Sequence, residues 1–167
     1  ASPAGLSIDP SNGTITPASS TAGTYTVTYS IPSGGGCPSV QTTASVTVST
    51  QPAATISYTG SPFCSSVAPV NVTLSGTSGG TFSATPAGLS IDPSTGIITP
   101  ATSTTGTYTV TYTIAASGGC AQVQATTQVS ITKLPVTTFS YTGTPYCSDA
   151  ANPSPTFSGG GVAGTFS

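Results

Sequence analysis

Charge is what this sequence most lacks. Its 167 residues include no Glu, Arg or His, and Asp9, Asp92, Asp149 and Lys133 are the only acidic and basic side chains. Nucleic-acid binding needs clustered Lys or Arg to displace counterions, and one lysine cannot form a patch. General acid–base catalysis needs His, paired carboxylates or a tuned Lys, and none of these is supplied. Ser-His-Asp and Cys-His arrangements fail for want of a histidine. The chain reads as a protein without catalysis and without a cofactor. No apolar run approaches the ~20 residues that span a bilayer, so no membrane insertion is expected in this segment. No signal peptide is visible at Ala1, and any such signal would lie upstream.

Hydroxyls are what the chain has in abundance. Ser and Thr together exceed a third of the residues, and Gly with Pro make up about a fifth. That composition alone suits a mucin-like stalk. Disorder, however, goes with low hydrophobicity and high net charge, whereas here apolar residues alternate regularly and aromatics recur in register. The chain reads as folded.

The recurrence is an internal repeat. Pro86-Ala87-Gly88-Leu89-Ser90-Ile91-Asp92-Pro93-Ser94-Thr95-Gly96 restates Pro3-Ala4-Gly5-Leu6-Ser7-Ile8-Asp9-Pro10-Ser11-Asn12-Gly13 at an offset of 83 residues. Gly106-Thr107-Tyr108-Thr109-Val110-Thr111-Tyr112 likewise restates Gly23-Thr24-Tyr25-Thr26-Val27-Thr28-Tyr29. A repeat at a fixed period governs the whole architecture. Tyr25, Val27 and Tyr29, like Tyr108, Val110 and Tyr112, fall on one face of a strand and are expected in the core. Threonines occupy the other face. Asp9, Pro10 and Gly13, like Asp92, Pro93 and Gly96, fit a tight hairpin turn: Asp suits its first position, Pro its second, and Gly the positive φ that closes it.

The period frames three modules. Residues 1–50 read as the C-terminal part of one, 53–133 as a complete module, and 136–167 as the N-terminal part of the next. In the complete module, strands are expected at 55–59, 70–75, 80–84, 89–92, 97–99, 107–114 and 123–132. Seven short strands with turns between them predict an all-β fold, an immunoglobulin-like β-sandwich of about 83 residues per module. Its expected core also includes Ile56, Tyr58, Val72, Leu74, Phe82, Leu89, Ile91, Ile98, Ile114, Val129 and Ile131. Phe139 and Tyr141 match Ile56 and Tyr58, and residue 167 would run smoothly into residue 1. The expectation is therefore a window on a longer tandem array, in which a neighbouring copy completes each partial module.

The repeated motif, with Ser57-Tyr58-Thr59-Gly60-Ser61-Pro62-Phe63-Cys64-Ser65 and Gly118-Gly119-Cys120, resembles the bacterial immunoglobulin-like repeat. The two flanking segments look like the variant found in giant surface adhesins of Bacteroidota, including gliding-motility filament proteins. The resemblance covers the whole chain. It implies export, display on the cell surface as a long fibre, and no catalytic residues.

Cys37, Cys64, Cys120 and Cys147 recur two per period. Even numbers at recurring spacing in an exported protein imply disulfides. Metal binding is not expected, because Cys-x-x-Cys pairs and histidine are lacking. Two pairings stand open. Cys64 joins Cys120 within one module, or each A–B cysteine joins the F–G cysteine of the following module and staples the junction. Asp92 with its turn suggests a calcium loop only weakly, since calcium takes six to eight oxygens and several carboxylates; the metal expectation is none. The rows Thr107, Thr109, Thr111, Thr113 and Thr24, Thr26, Thr28 raise an ice-binding array against the plainer reading that Thr is a good strand former.

The function expected is a structural stalk or filament that partners other modules or copies of itself. The alternative is an adhesin module that binds a surface glycan or protein, with residues 65–79 against 148–161 as the segment that varies most between copies.

Overall fold

The computed structural model describes residues 1–135, 138–158 and 164–166. Val136 and Ser167, which bound the third expected module, and Gly159, Gly160 and Gly161 of the variable segment lie outside the described residues. The chain is all-β. Its strands are β1 (Gly23–Ile31), β2 (Val40–Val48), β3 (Ala54–Ser57), β4 (Phe63–Cys64), β5 (Thr73–Gly76), β6 (Thr81–Thr85), β7 (Gly106–Ile114), β8 (Val123–Thr132), β9 (Thr138–Ser140) and β10 (Thr156–Ser158). Short 3-10 turns at Pro17–Ser19 and Pro100–Thr102 precede β1 and β7. Among the described residues, no helix is long and apolar enough to cross a membrane.

The packing divides the chain into two compact units. One comprises Ala1–Ala54, Gly76–Ser78 and Thr113–Gln124, and the other Thr55–Ser75, Gly79–Tyr112 and Ala125–Ser167.

In the first unit β1 and β2 form an antiparallel hairpin, in register from Gly23↔Val48 to Ile31↔Val40. Tyr25 is buried and Val27 half-buried, but Tyr29 is 66% exposed, contrary to its expected place in the core. The reason is geometric. Alternation aims Tyr25, Val27 and Tyr29 to one face, and among the described residues no second sheet covers the far end of that face.

The second unit holds the sandwich core. Its main sheet has the order β4-β8-β7-β6, with β4 parallel to β8; the partner pair is β3-β5. Strand β7 forms because one face (Tyr108, Val110, Tyr112, Ile114) is aromatic or β-branched and the other (Thr107, Thr109, Thr111, Thr113) is threonine, both good strand formers. Tyr108, Val110 and Tyr112 are 3%, 0% and 1% exposed. Ile56, Tyr58, Phe63, Phe82, Ile98, Val129 and Ile131 complete the buried set, each large side chain contributing roughly 1.5–3 kcal/mol on burial. The Phe82 and Tyr112 rings meet at 4.7 Å. Val72, Leu74, Leu89 and Ile91 sit half-buried at its margin, and Ile114, of the first unit, is half-buried as well.

Two local expectations change. Residues 89–92 and 97–99 meet only as the bridge Ile91↔Ile98, with Val70 bridging Ile98 as well. Pro100 opens a 3-10 turn immediately afterwards, and a residue without an N–H cannot extend the ladder. Strand β4 was not foreseen, since two residues carry no legible alternation. It exists because Phe63 and Cys64 pair with Ile131 and Thr132 at the end of β8.

Candidate functional site

The repeated motif is built as a lock around one tyrosine. Gly88 has φ +124, and a Cβ there would come within 2.9 Å of the Tyr108 hydroxyl. That hydroxyl donates to the Thr104 carbonyl at 2.7 Å, and the Thr104 amide donates to the Gly88 carbonyl at 2.8 Å. The Ser103 hydroxyl accepts from the Ser90 amide and donates to the Thr99 carbonyl. Gly5, Tyr25, Thr21 and Ser20 repeat the arrangement in the first unit. A tyrosine whose hydroxyl reaches back to the backbone a few residues upstream is an immunoglobulin-fold feature.

The Asp92 turn serves the same structure. One carboxylate oxygen accepts from the Ser94 and Thr95 amides at 2.9 and 2.7 Å, and the Gly96 amide donates to the Asp92 carbonyl. Backbone donation from Thr95, then from Ser94, holds this carboxyl below its ordinary range. Asp9 is held low chiefly by the Ser11 hydroxyl, helped by the Ser11 amide. The Pro93 carbonyl accepts from the Phe82 amide, and the Gly96 carbonyl accepts from the buried Tyr58 hydroxyl at 2.5 Å. Each Asp is engaged in its own turn. Among the described residues, no group of three or more His, Cys, Asp or Glu side chains stands together.

The threonine rows are only partly open. Thr107 and Thr109 are exposed, whereas Thr111 and Thr113 are half-buried. Thr107 shares a hydrogen bond with Ser130, Thr113 accepts from Gln124, and Thr24 shares one with Thr47. These hydroxyls tie neighbouring strands together.

The family follows from this frame. A family model described as a putative Ig domain matches residues 44–133. The chain belongs to the putative Ig domain family. A search of curated proteins finds no match. An Ig domain of this kind is a structural or adhesion-type module, and Ig-like families are generally non-enzymatic. The complete lock and sandwich core of this Ig domain lie within the matched span.

The four cysteines are free thiols in the structure. Cys64 is in register with Thr132, the last residue of β8, while Cys120 precedes the first residue of that strand. The length of β8, roughly 30 Å for ten residues, separates them, and a bridge needs Cα atoms within about 7 Å. Cys64 and Cys120 are not bridged in this structure. The Cys64 thiol is held below its ordinary pKa chiefly by the Ser66 hydroxyl, 3.3 Å away. The Cys120 thiol donates to the Thr50 carbonyl at 3.6 Å and faces a cleft of about 400 Å³ walled by Val48, Ser49 and Pro17. Cys37 and Cys147 are exposed. Sequence reasoning foresaw the cysteines but not that Cys120 would stand on the segment joining β2 to β3; that contact joins residues 70 apart.

Proposed function

We propose that this chain is the structural repeat region of an extracellular fibre on a bacterial surface, a stalk or filament of tandem Ig domains like those of Bacteroidota surface adhesins. The carrying observation is the repetition of one lock at an 83-residue period, Gly5 with Tyr25 and Gly88 with Tyr108, within a chain of this family. Repeats that each carry their own turn and tyrosine lock serve extension, since stacked units add length without new chemistry. Near-absence of charge supports the same reading, because self-repulsion that would keep neighbouring copies apart is lacking. Its partners are other modules of the same kind.

The test is localisation on intact cells. Antibody raised against the chain should decorate external fibres in immunogold images, and protease added outside should remove the signal. Signal that survives protease until the cells are lysed would overturn the surface reading. A glycan and surface-protein screen of the purified chain then separates spacer from binder, with specific capture favouring an adhesin that binds through its own loops.

A further inference from the structure

Strand β4 has two residues, yet it is tied to β8 over a longer stretch than its backbone pairs cover. Around the parallel pairs Phe63↔Ile131 and Cys64↔Thr132, three hydroxyls add rungs. The Ser130 amide donates to the Ser61 hydroxyl at 3.1 Å, and the Thr132 hydroxyl donates to the Phe63 carbonyl at 3.2 Å. The Leu134 amide donates to the Ser65 hydroxyl at 3.3 Å. Each rung joins residues 69 apart, and each lies two residues beyond the last. The Ser65 amide adds a bond to the Thr132 carbonyl at 2.9 Å. Hydroxyls thus lengthen a two-residue pairing into a parallel ladder of residues 61–65 against 130–134. Phe63 and Ile131 anchor its inner side, buried in the core.

We propose that this hydroxyl ladder is a shear lock, which carries tension passed along the chain and sets how fast the 53–133 module opens under load. The proposal deepens the fibre reading and rests on it, since a stalk passes tension from module to module. The direction of the strands is the reason. Tension along the chain enters this module at Ala53 and leaves through the end of β8 at Thr132. The strand it meets first, β3, is four residues long and pairs with β5 in a sheet of two strands. Once β3 strips away, the pull reaches β4 toward its N-terminus, while β8 is pulled toward its C-terminus. Between parallel strands these opposed pulls slide one along the other, and evenly spaced bonds across them stretch together. A hairpin pulled from its open ends parts one bond at a time instead. The hydroxyls recur one period away, at Thr144 and Ser148 for Ser61 and Ser65, and at Ser49 for Thr132. A device used at every module requires that recurrence.

The test is stretching of the whole chain at constant force in magnetic tweezers, held by peptide tags at its two ends in reducing buffer. Opening of the 53–133 module is recognised by the release of roughly 250 Å of chain. Ser61→Ala and Ser65→Ala each remove one rung and should keep the parent's circular dichroism. Each should raise the opening rate about fivefold, the worth of one hydrogen bond broken at the barrier. Ser65→Thr, which keeps the hydroxyl, should open at the parent's rate. Ser103→Ala is the control, because its two hydrogen bonds lie in the tyrosine lock and not between β4 and β8. It should lower Tm yet change the opening rate under force by less than about twofold. The proposal is overturned by ladder variants that open no faster than the parent. It is overturned equally by Ser103→Ala or Ser65→Thr opening as fast as Ser65→Ala. The expected rates in a chain found inside cells would sink the surface reading alone, and a surface-displayed chain whose ladder variants match the parent would sink this one alone.

Discussion

Replacing Tyr58 with Phe removes one oxygen and tests how the Asp92–Gly96 turn is fastened to the core. The Tyr58 hydroxyl donates to the Gly96 carbonyl at 2.5 Å, and both residues are buried. Removing the donor leaves that carbonyl unsatisfied, at a cost of about 1–3 kcal/mol. For a unit of this size each kcal/mol lowers Tm by roughly 4–8 °C. Burial also pushes the Tyr58 pKa up to about 12. The sign follows from linkage: between pH 10 and 12 the unfolded chain loses this proton and the folded chain keeps it, so stability falls as pH rises. One pH unit above the ordinary tyrosine value the loss is about 1.4 kcal/mol. Tyr58→Phe has no such proton. Urea unfolding followed by circular dichroism at pH 7 and pH 11 should show the parent more stable at pH 7 and the gap between the two proteins narrowing at pH 11. A gap that stays constant with pH, or a variant as stable as the parent at neutral pH, would refute the reasoning.

Gly88→Ala should destabilise by about 1–3 kcal/mol in thermal melts, because its φ is +124 and the new methyl would meet the Tyr108 hydroxyl. Val110→Ala, at a fully buried position, should cost roughly 2 kcal/mol in urea unfolding through lost transfer and the cavity left behind. Asp92→Ala should lower Tm at pH 7 by loosening its turn. Because the Asp92 carboxyl is held low in the fold, its contribution is complete above the ordinary carboxyl value near 3.9 and lost as pH falls through the folded value. The difference in Tm between Asp92→Ala and the parent should therefore shrink below about pH 4.

Alternation made much of this legible beforehand. The Tyr108-Val110-Tyr112 face announced both the strand and its burial, and the Asp-Pro-x-x-Gly spacing announced the turn, because both are encoded within a few residues. The period of 83 residues and the near-absence of charge were also properties of the sequence alone, and they fixed the class of protein expected. What only the tertiary structure decided depends on partners distant in the chain. Tyr25 and Tyr29 share one strand face, yet one is 3% and the other 66% exposed, since alternation sets direction and not what lies opposite. Gly88 carries no visible reason in sequence until the Tyr108 hydroxyl, twenty residues on, occupies the space its side chain would need. The cysteines could be counted, but that Cys64 stands beside Thr132 at the end of strand β8 followed from the pairing of β4 with it. Spacing along a chain limits which side chains can meet, and strand pairing across the sheet determines which of them do.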